Sequence, residues 1–180
     1  EDLARFSDFE GLLFHDDAYL TDFEDNHPLA LKTYRDEWGL SASISKIRKS
    51  PEAMARWTDA KTRALIGWTQ VLASRVRIWR PEIFTARNIY AMPVLNPDSE
   101  EWFAQSFPLF LQTYDWTAVM AMPYMEKAEA PLPWLGELVD KVKKYPQGLK
   151  KTLFELQSFD WERKKPIPTA ELVEQMKFLQ

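Results

Sequence analysis

The stretch Glu10-Gly11-Leu12-Leu13-Phe14-His15-Asp16-Asp17 decides how the rest of the chain is read. A short apolar run that ends in polar residues reads as a strand buried on both faces. Three later runs follow the same plan: Phe84 to Ala91, Trp116 to Met122 and Lys151 to Gln157. Helical segments separate them. Four strands alternating with helices predict a parallel sheet with helical crossovers.

The helices are marked mainly at their ends. A short one is predicted near Leu29 to Trp38, stopped by Gly39; a long one starts with Ser50 as N-cap and Pro51 at its first position, and Pro81 closes it. Along the long helix Trp57, Leu65, Trp68, Leu72 and Trp79 recur at helical spacing, which predicts a packed stripe. After the second strand, Asp98 or Ser99 is read as the cap of a helix to about Tyr114, kinked at Pro108. A loop from Pro123 to Pro133 leads to a helix over Leu135 to Tyr145. A polar loop from Ser158 to Pro168 leads to a last helix capped by Thr169 and running to Gln180.

Acids, amides and aromatics gather at the strand ends, the pattern of a (β/α) barrel, whose active site lies at the C-terminal ends of its strands. Four strands are about half of the eight, over roughly 250 residues, that such a barrel takes. The predicted fold class is therefore α/β, a partial (β/α) TIM-like barrel of about four β/α units. Residues 1–180 are expected to be a fragment of one barrel domain, with strands missing on both sides.

Composition removes several alternatives. The 180 residues are 46% hydrophobic, which suits a packed globular core. Lys and Arg number 23 against 27 Asp and Glu, so no basic footprint for nucleic acid exists and none is expected as partner. There is no cysteine, hence no disulfide, thiolate ligand or cysteine nucleophile. Five glycines form no phosphate-cradling motif. No apolar run approaches the ~20 residues that span a bilayer, and Glu1 to Arg5 lack the order of a signal peptide.

The candidate chemistry lies at the strand ends. Alternation puts Leu12, Phe14 and Asp16 on one side and Leu13, His15 and Asp17 on the other. One aspartate of the pair is then expected to face the barrel axis, and two adjacent carboxylates can raise one pKa and leave a proton for a leaving group. Capping of the loop through backbone bonds explains the pair equally well. Asp22, Glu24 and Asp25 form an acidic loop with His27; carboxylates and imidazole are metal ligands, but no zinc or calcium spacing is matched, and no metal is assigned. The loop reads either as a lure for a cationic polymer with free amines or as a solvated surface. Arg87 and Asn88 form a polar pair inside the second strand, one of which should face the interior. Glu155 and Gln157 share a polar face of the fourth strand, where Glu155 reads as partner to an interior arginine. Tyr124 and Glu126 after the third strand, and Trp161 after the fourth, fall where a ligand groove would run.

Taken together, Leu13-Phe14-His15-Asp16-Asp17-Ala18, Asp22-Phe23-Glu24-Asp25, Thr85-Ala86-Arg87-Asn88-Ile89, Tyr114-Asp115-Trp116-Thr117-Ala118, Met120-Ala121-Met122-Pro123-Tyr124 and Glu155-Leu156-Gln157 resemble a known family. It is the C-terminal domain of PgaB/HmsF-type biofilm proteins, the poly-β-1,6-N-acetylglucosamine N-deacetylases. The resemblance implies a barrel that binds and hydrolyses the partly deacetylated polymer. It also implies a separate N-terminal domain, absent from this chain, that holds the metal and removes acetyl groups, so no cofactor is expected in this fragment. It places the essential acid on Asp16 with Asp17 beside it. From their places at the strand ends and in the loops, His15, Asp22, Glu24, Asn88, Tyr124, Glu126, Gln157 and Trp161 are the substrate-binding candidates. Glu126 is the candidate second carboxylate; retaining, inverting and substrate-assisted routes stay open. A periplasmic place at the outer membrane, with an export porin as partner, is implied in the same way. A non-catalytic module that guides the polymer is the alternative.

Overall fold

The computed structural model describes residues 2–180. They form two compact units. One is helical and comprises Asp17–Ile83 and Asp98–Ser106 with the segment before Gly11; the other holds the sheet and comprises Gly11–Asp16, Phe84–Pro97 and Phe107–Gln180.

In the helical unit the helix Pro28–Asp36 and the helix Pro51–Arg77 begin as their sequence signals require. Ser50 accepts a hydrogen bond from the Ala53 N–H, and Pro51 supplies a residue that needs no donor. The core is Tyr34, Leu40, Ile47, Met54 and Trp57. The Tyr34 ring stacks on Trp38 at 5.0 Å and meets Trp57 edge-on at 5.7 Å. Its hydroxyl donates to the Asp25 carbonyl and accepts from the Asp25 N–H, which fixes the acidic loop from behind. The predicted stripe divides along its length. Trp57 is fully buried, whereas Trp68, Leu72 and Trp79 are exposed, Trp68 to 67%. The burial itself moves round the helix to Thr69 and Ala73, so the second half turns its aromatic face outward.

The sheet unit has four parallel strands in the order β1 (Gly11–Phe14), β2 (Phe84–Ile89), β3 (Trp116–Ala121) and β4 (Thr152–Leu156). This is the partial α/β barrel-like architecture that the alternation of elements predicts. Register puts Leu13, Ala86, Asn88, Trp116, Ala118, Met120, Leu153 and Glu155 on one face and Phe14, Arg87, Thr117, Val119 and Phe154 on the other. The second face packs on helices: Phe14 lies 6.1 Å from Tyr114, and the Arg87 guanidinium lies 5.6 Å from the Phe110 ring. The first face is open, and this corrects the expectation that β1 is buried on both sides: Leu13 is 54% exposed. β1 and β4 are edge strands, each with one neighbour.

Element ends differ from the sequence reading in ways that have local causes. β2 ends at Ile89 because Ala91 starts a short helix to Leu95. The predicted helix from Ser99 to Tyr114 is two helices, Glu100–Phe103 and Phe107–Thr113. The break falls at Ala104, which is left-handed at φ 48°, while Pro108 sits in the first turn of the second helix and kinks nothing. The helix after β3 starts at Pro131, earlier than Leu135, and ends at Val142. The polar loop after β4 contains a small hairpin, Phe159–Asp160 with Lys165–Pro166. Thr169 is the first residue of the last helix, with Pro168 at the cap position.

Candidate active site

The C-terminal ends of the four strands carry the chemistry. β1 delivers His15 and Asp16 immediately past Phe14. Both lie past the last paired residue, Phe14, where the chain turns. His15 is exposed and Asp16 is 6% exposed. His15 Nδ1 lies 2.6 Å from Asp16 Oδ1, an ion-pair distance whose angle misses hydrogen-bond alignment. Burial pushes the Arg87 guanidinium below its ordinary value, and the charges of Tyr114 and Asp16 pull it back. Asp17 is exposed at the start of the other unit. The two neighbouring aspartates therefore differ in burial.

On the open face Asn88 donates its amide to Glu155 Oε2, reaching across β3 over the small Ala118. Glu155 thus pairs with Asn88, correcting the expectation of an arginine; the arginine of the pair, Arg87, points to the helices. Burial pushes the Glu155 carboxyl above the usual carboxylate range; the Asn88 bond and His15 oppose this, and the Asp16 charge adds to it. Glu126, half-buried in the turn after β3, is raised by burial alone.

The loops after β3 and β4 meet in a hollow of about 260 Å³ lined by Tyr124, Met125, Lys127, Gln157, Trp161 and Glu162 among others. Trp161 stands exposed at its edge. Gln157 is buried and spends both ends of its amide on backbone, accepting from the Met125 N–H and donating to the Phe159 carbonyl. It holds the two loops together and has little left for a ligand. Tyr124 accepts from Gln175.

Asp22 and Glu24 belong to the helical unit, where Asp22 pairs with Arg48 at 2.7 Å and Glu24 accepts from the Thr21 N–H and hydroxyl. Those bonds, the backbone one foremost, hold Glu24 below its ordinary value. The acidic loop is thus largely self-satisfied. As for metals, His15, Asp16 and Asp17 each offer one ligand atom and these lie within 4.8 Å of one another, but His15 Nδ1 and Asp16 Oδ1 already engage each other at 2.6 Å.

Lys61 is the buried ionisable group that sequence reasoning missed. Its signal was present: position 61 lies midway between Trp57 and Leu65 on the apolar stripe.

Comparison with known proteins gives the site a context. All of residues 1–180 match the profile of a family described as hypothetical glycosyl hydrolase family 13. The chain is 44% identical over 186 aligned residues to the poly-beta-1,6-N-acetyl-D-glucosamine N-deacetylase of Escherichia coli K12, and equally to that of E. coli O157:H7. In both the alignment covers the whole of this chain and 28% of the relative. The solved PgaB (BpsB) glycoside hydrolase domain from Bordetella bronchiseptica superposes with a TM-score of 0.94 at 47% identity, over 99% of this chain and 50% of that one.

Proposed function

Because the chain belongs to hypothetical glycosyl hydrolase family 13, we propose that it hydrolyses partly deacetylated poly-β-1,6-N-acetylglucosamine, with Asp16 as the essential acid. The observation that carries this reading is Asp16 itself. A buried carboxylate oxygen that meets an imidazole without an aligned hydrogen bond is costly to maintain. It is maintained at the carboxyl end of a parallel strand, where barrel enzymes place their chemistry. In this scheme Asp16 hands a proton to the leaving glycosidic oxygen. As the bond from the anomeric carbon to that oxygen breaks, the carbon is met either by a water that Glu126 deprotonates or by the acetamido oxygen of the substrate, in which case water then opens the intermediate and gives its proton to Asp16. His15 orients Asp16, and Trp161 with Tyr124 offers ring faces to the sugars. The names of the relatives support the choice of polymer.

Reducing ends released from partly deacetylated polymer measure this directly. Asp16→Asn should lower the rate by roughly 10²–10⁴-fold, and Asp17→Asn by far less. An Asp16→Asn protein that cuts at the parent rate would sink the assignment. Loss in Glu126→Gln would select the two-carboxylate route, and retention the substrate-assisted one.

A second reading is favoured by the hollow beside Trp161, which can grip a sugar ring without cutting it. As a guiding module the unmutated protein would bind the polymer and release no new ends. The wider setting belongs to the same proposal: N-deacetylation by another part of the parent protein, a periplasmic site at the outer membrane, and delivery to an export porin. Cell fractionation checks the location.

A further inference from the structure

We infer that the turn from Lys143 to Lys150 docks on an anionic lipid bilayer, and so turns the amino ends of β3 and β4 toward the membrane and their carboxyl ends away from it. This depends neither on the polymer bound nor on its cleavage. The segment Lys141 to Lys151 holds five lysines and no acid, in a chain whose net charge is -4. The fold gathers them. The helix Pro131–Val142 ends where the short helix Gly148–Lys151 starts against it: a Cβ on Gly148 would lie 2.1 Å from the Val142 carbonyl oxygen, so only glycine lets the two lysine-bearing segments close up. The Gly148 N–H donates to the Tyr145 carbonyl at 2.9 Å and the Lys151 N–H to the Gln147 carbonyl at 3.1 Å, which sets the turn. β4 begins at the next residue, Thr152, so the turn lies at the end of the sheet opposite His15 and Asp16.

The lysines divide by what they already hold. Lys141 Nζ donates to the Leu95 carbonyl at 2.9 Å and Lys151 Nζ to the Leu111 carbonyl, so both are tied to neighbouring helices. Lys143 meets Asp140 at 3.3 Å in an exposed pair, which binds it weakly. The side chains of Lys144 and Lys150 are exposed and have no partner among the described residues. Between them Pro146 is exposed and Leu149 is 48% exposed. An apolar tip flanked by ammonium groups can sink into the boundary of a bilayer while the lysine stems carry their charges to the headgroup phosphates. The residue types favour this over an acidic protein. Protein interfaces are enriched in arginine and aromatics and depleted in lysine; this turn has no arginine, and its one ring, Tyr145, packs edge-on against Phe107 at 5.1 Å. The rival basic run, Arg163-Lys164-Lys165, is interleaved with acids: Arg163 lies 3.7 Å from Asp160, and Glu162 precedes it.

The test is flotation of the full chain with vesicles through a density gradient, in which self-associated chain sinks. Vesicles of equal parts phosphatidylglycerol and phosphatidylcholine should carry the chain upward, and vesicles of phosphatidylcholine alone should not. Each lysine at an anionic surface is worth roughly fivefold in partitioning. Lys144→Gln with Lys150→Gln should therefore lower it by roughly 25-fold, raised salt should lower it too, and Leu149→Ser should lower it several-fold. Lys164→Gln with Lys165→Gln removes the same charge beyond the other end of β4 and should leave it unchanged. Unchanged thermal midpoints certify the folds of the variants, and the lipid and salt comparisons need no variant. Flotation with neither vesicle, equal flotation with both, indifference to salt, undiminished flotation in Lys144→Gln with Lys150→Gln or in Leu149→Ser, or a loss confined to the Lys164 and Lys165 pair overturns the inference. Tighter retention on immobilised polyglutamate than on the anionic vesicles overturns it as well and assigns the turn to an acidic protein.

Discussion

Lys61 shows what one buried charge does to this molecule. It is fully buried, its Nζ donates to the Thr21 carbonyl at 2.5 Å and lies 3.9 Å from the centre of the Trp57 ring. Desolvation lowers its pKa from 10.5 to about 8, against the pull of Asp22, Glu24 and Glu101. The unfolded lysine keeps its proton up to about pH 10.4. Between about pH 8 and that value the unfolded chain therefore binds more protons than the folded one, and stability rises with pH. Below pH 8 both states are charged and the full cost of burial is present. The rise should amount to on the order of 3 kcal/mol. Denaturant midpoints measured from pH 7 to 10.5 should climb in the parent and climb less in Lys61→Met. Parallel curves would show that the burial of Lys61 costs nothing.

At the scale of the element, two positions decide how helices are bounded. Ala104 separates two short helices with φ 48° and ψ 43°, a conformation that costs a residue with a Cβ roughly 1–2 kcal/mol. Ala104→Gly should remove part of that and raise the thermal midpoint; a lower midpoint would mean that the entropy of glycine outweighs the strain. Gly148 is the opposite case. A Cβ there would lie 2.1 Å from the Val142 carbonyl oxygen, so Gly148→Ala must displace backbone and should destabilise by at least the roughly 1–3 kcal/mol of ordinary overpacking. Neither position is marked in the sequence. Ser50, Pro51 and the apolar runs were legible because they act within a few residues. Ala104 was not, because alanine carries no signal for a left-handed backbone. The aromatic stripe was half legible: spacing tells which residues share a face, and nothing about what covers that face. In the site, His15 and Asp16 could be read from the strand end. The bond from Asn88 to Glu155 could not, because it depends on the register of three strands.

At the scale of the whole molecule, exposed apolar area is the feature that remains to be accounted for. Within the sheet unit the open face carries Leu13, Phe84, Trp116 and Leu153, and β1 and β4 each leave one edge of parallel strand unpaired. Within the helical unit Trp68, Val71 and Leu72 lie together on one outward turn of the long helix. Monomeric proteins avoid contiguous apolar surface of this kind, and unpaired strand edges are templates for further pairing. The 180-residue chain by itself should therefore self-associate. Sedimentation velocity should show a weight-average coefficient that rises with concentration. If edges and the open face of the sheet drive the association, Leu13→Lys with Leu153→Lys should suppress it and Leu72→Lys should not; if the helix drives it, the outcomes exchange. A concentration-independent monomer would show that neither surface is sticky enough to matter, and that the edge strands are protected by the charges at their ends, His15 and Asp16 on β1 and Lys150 and Lys151 before β4.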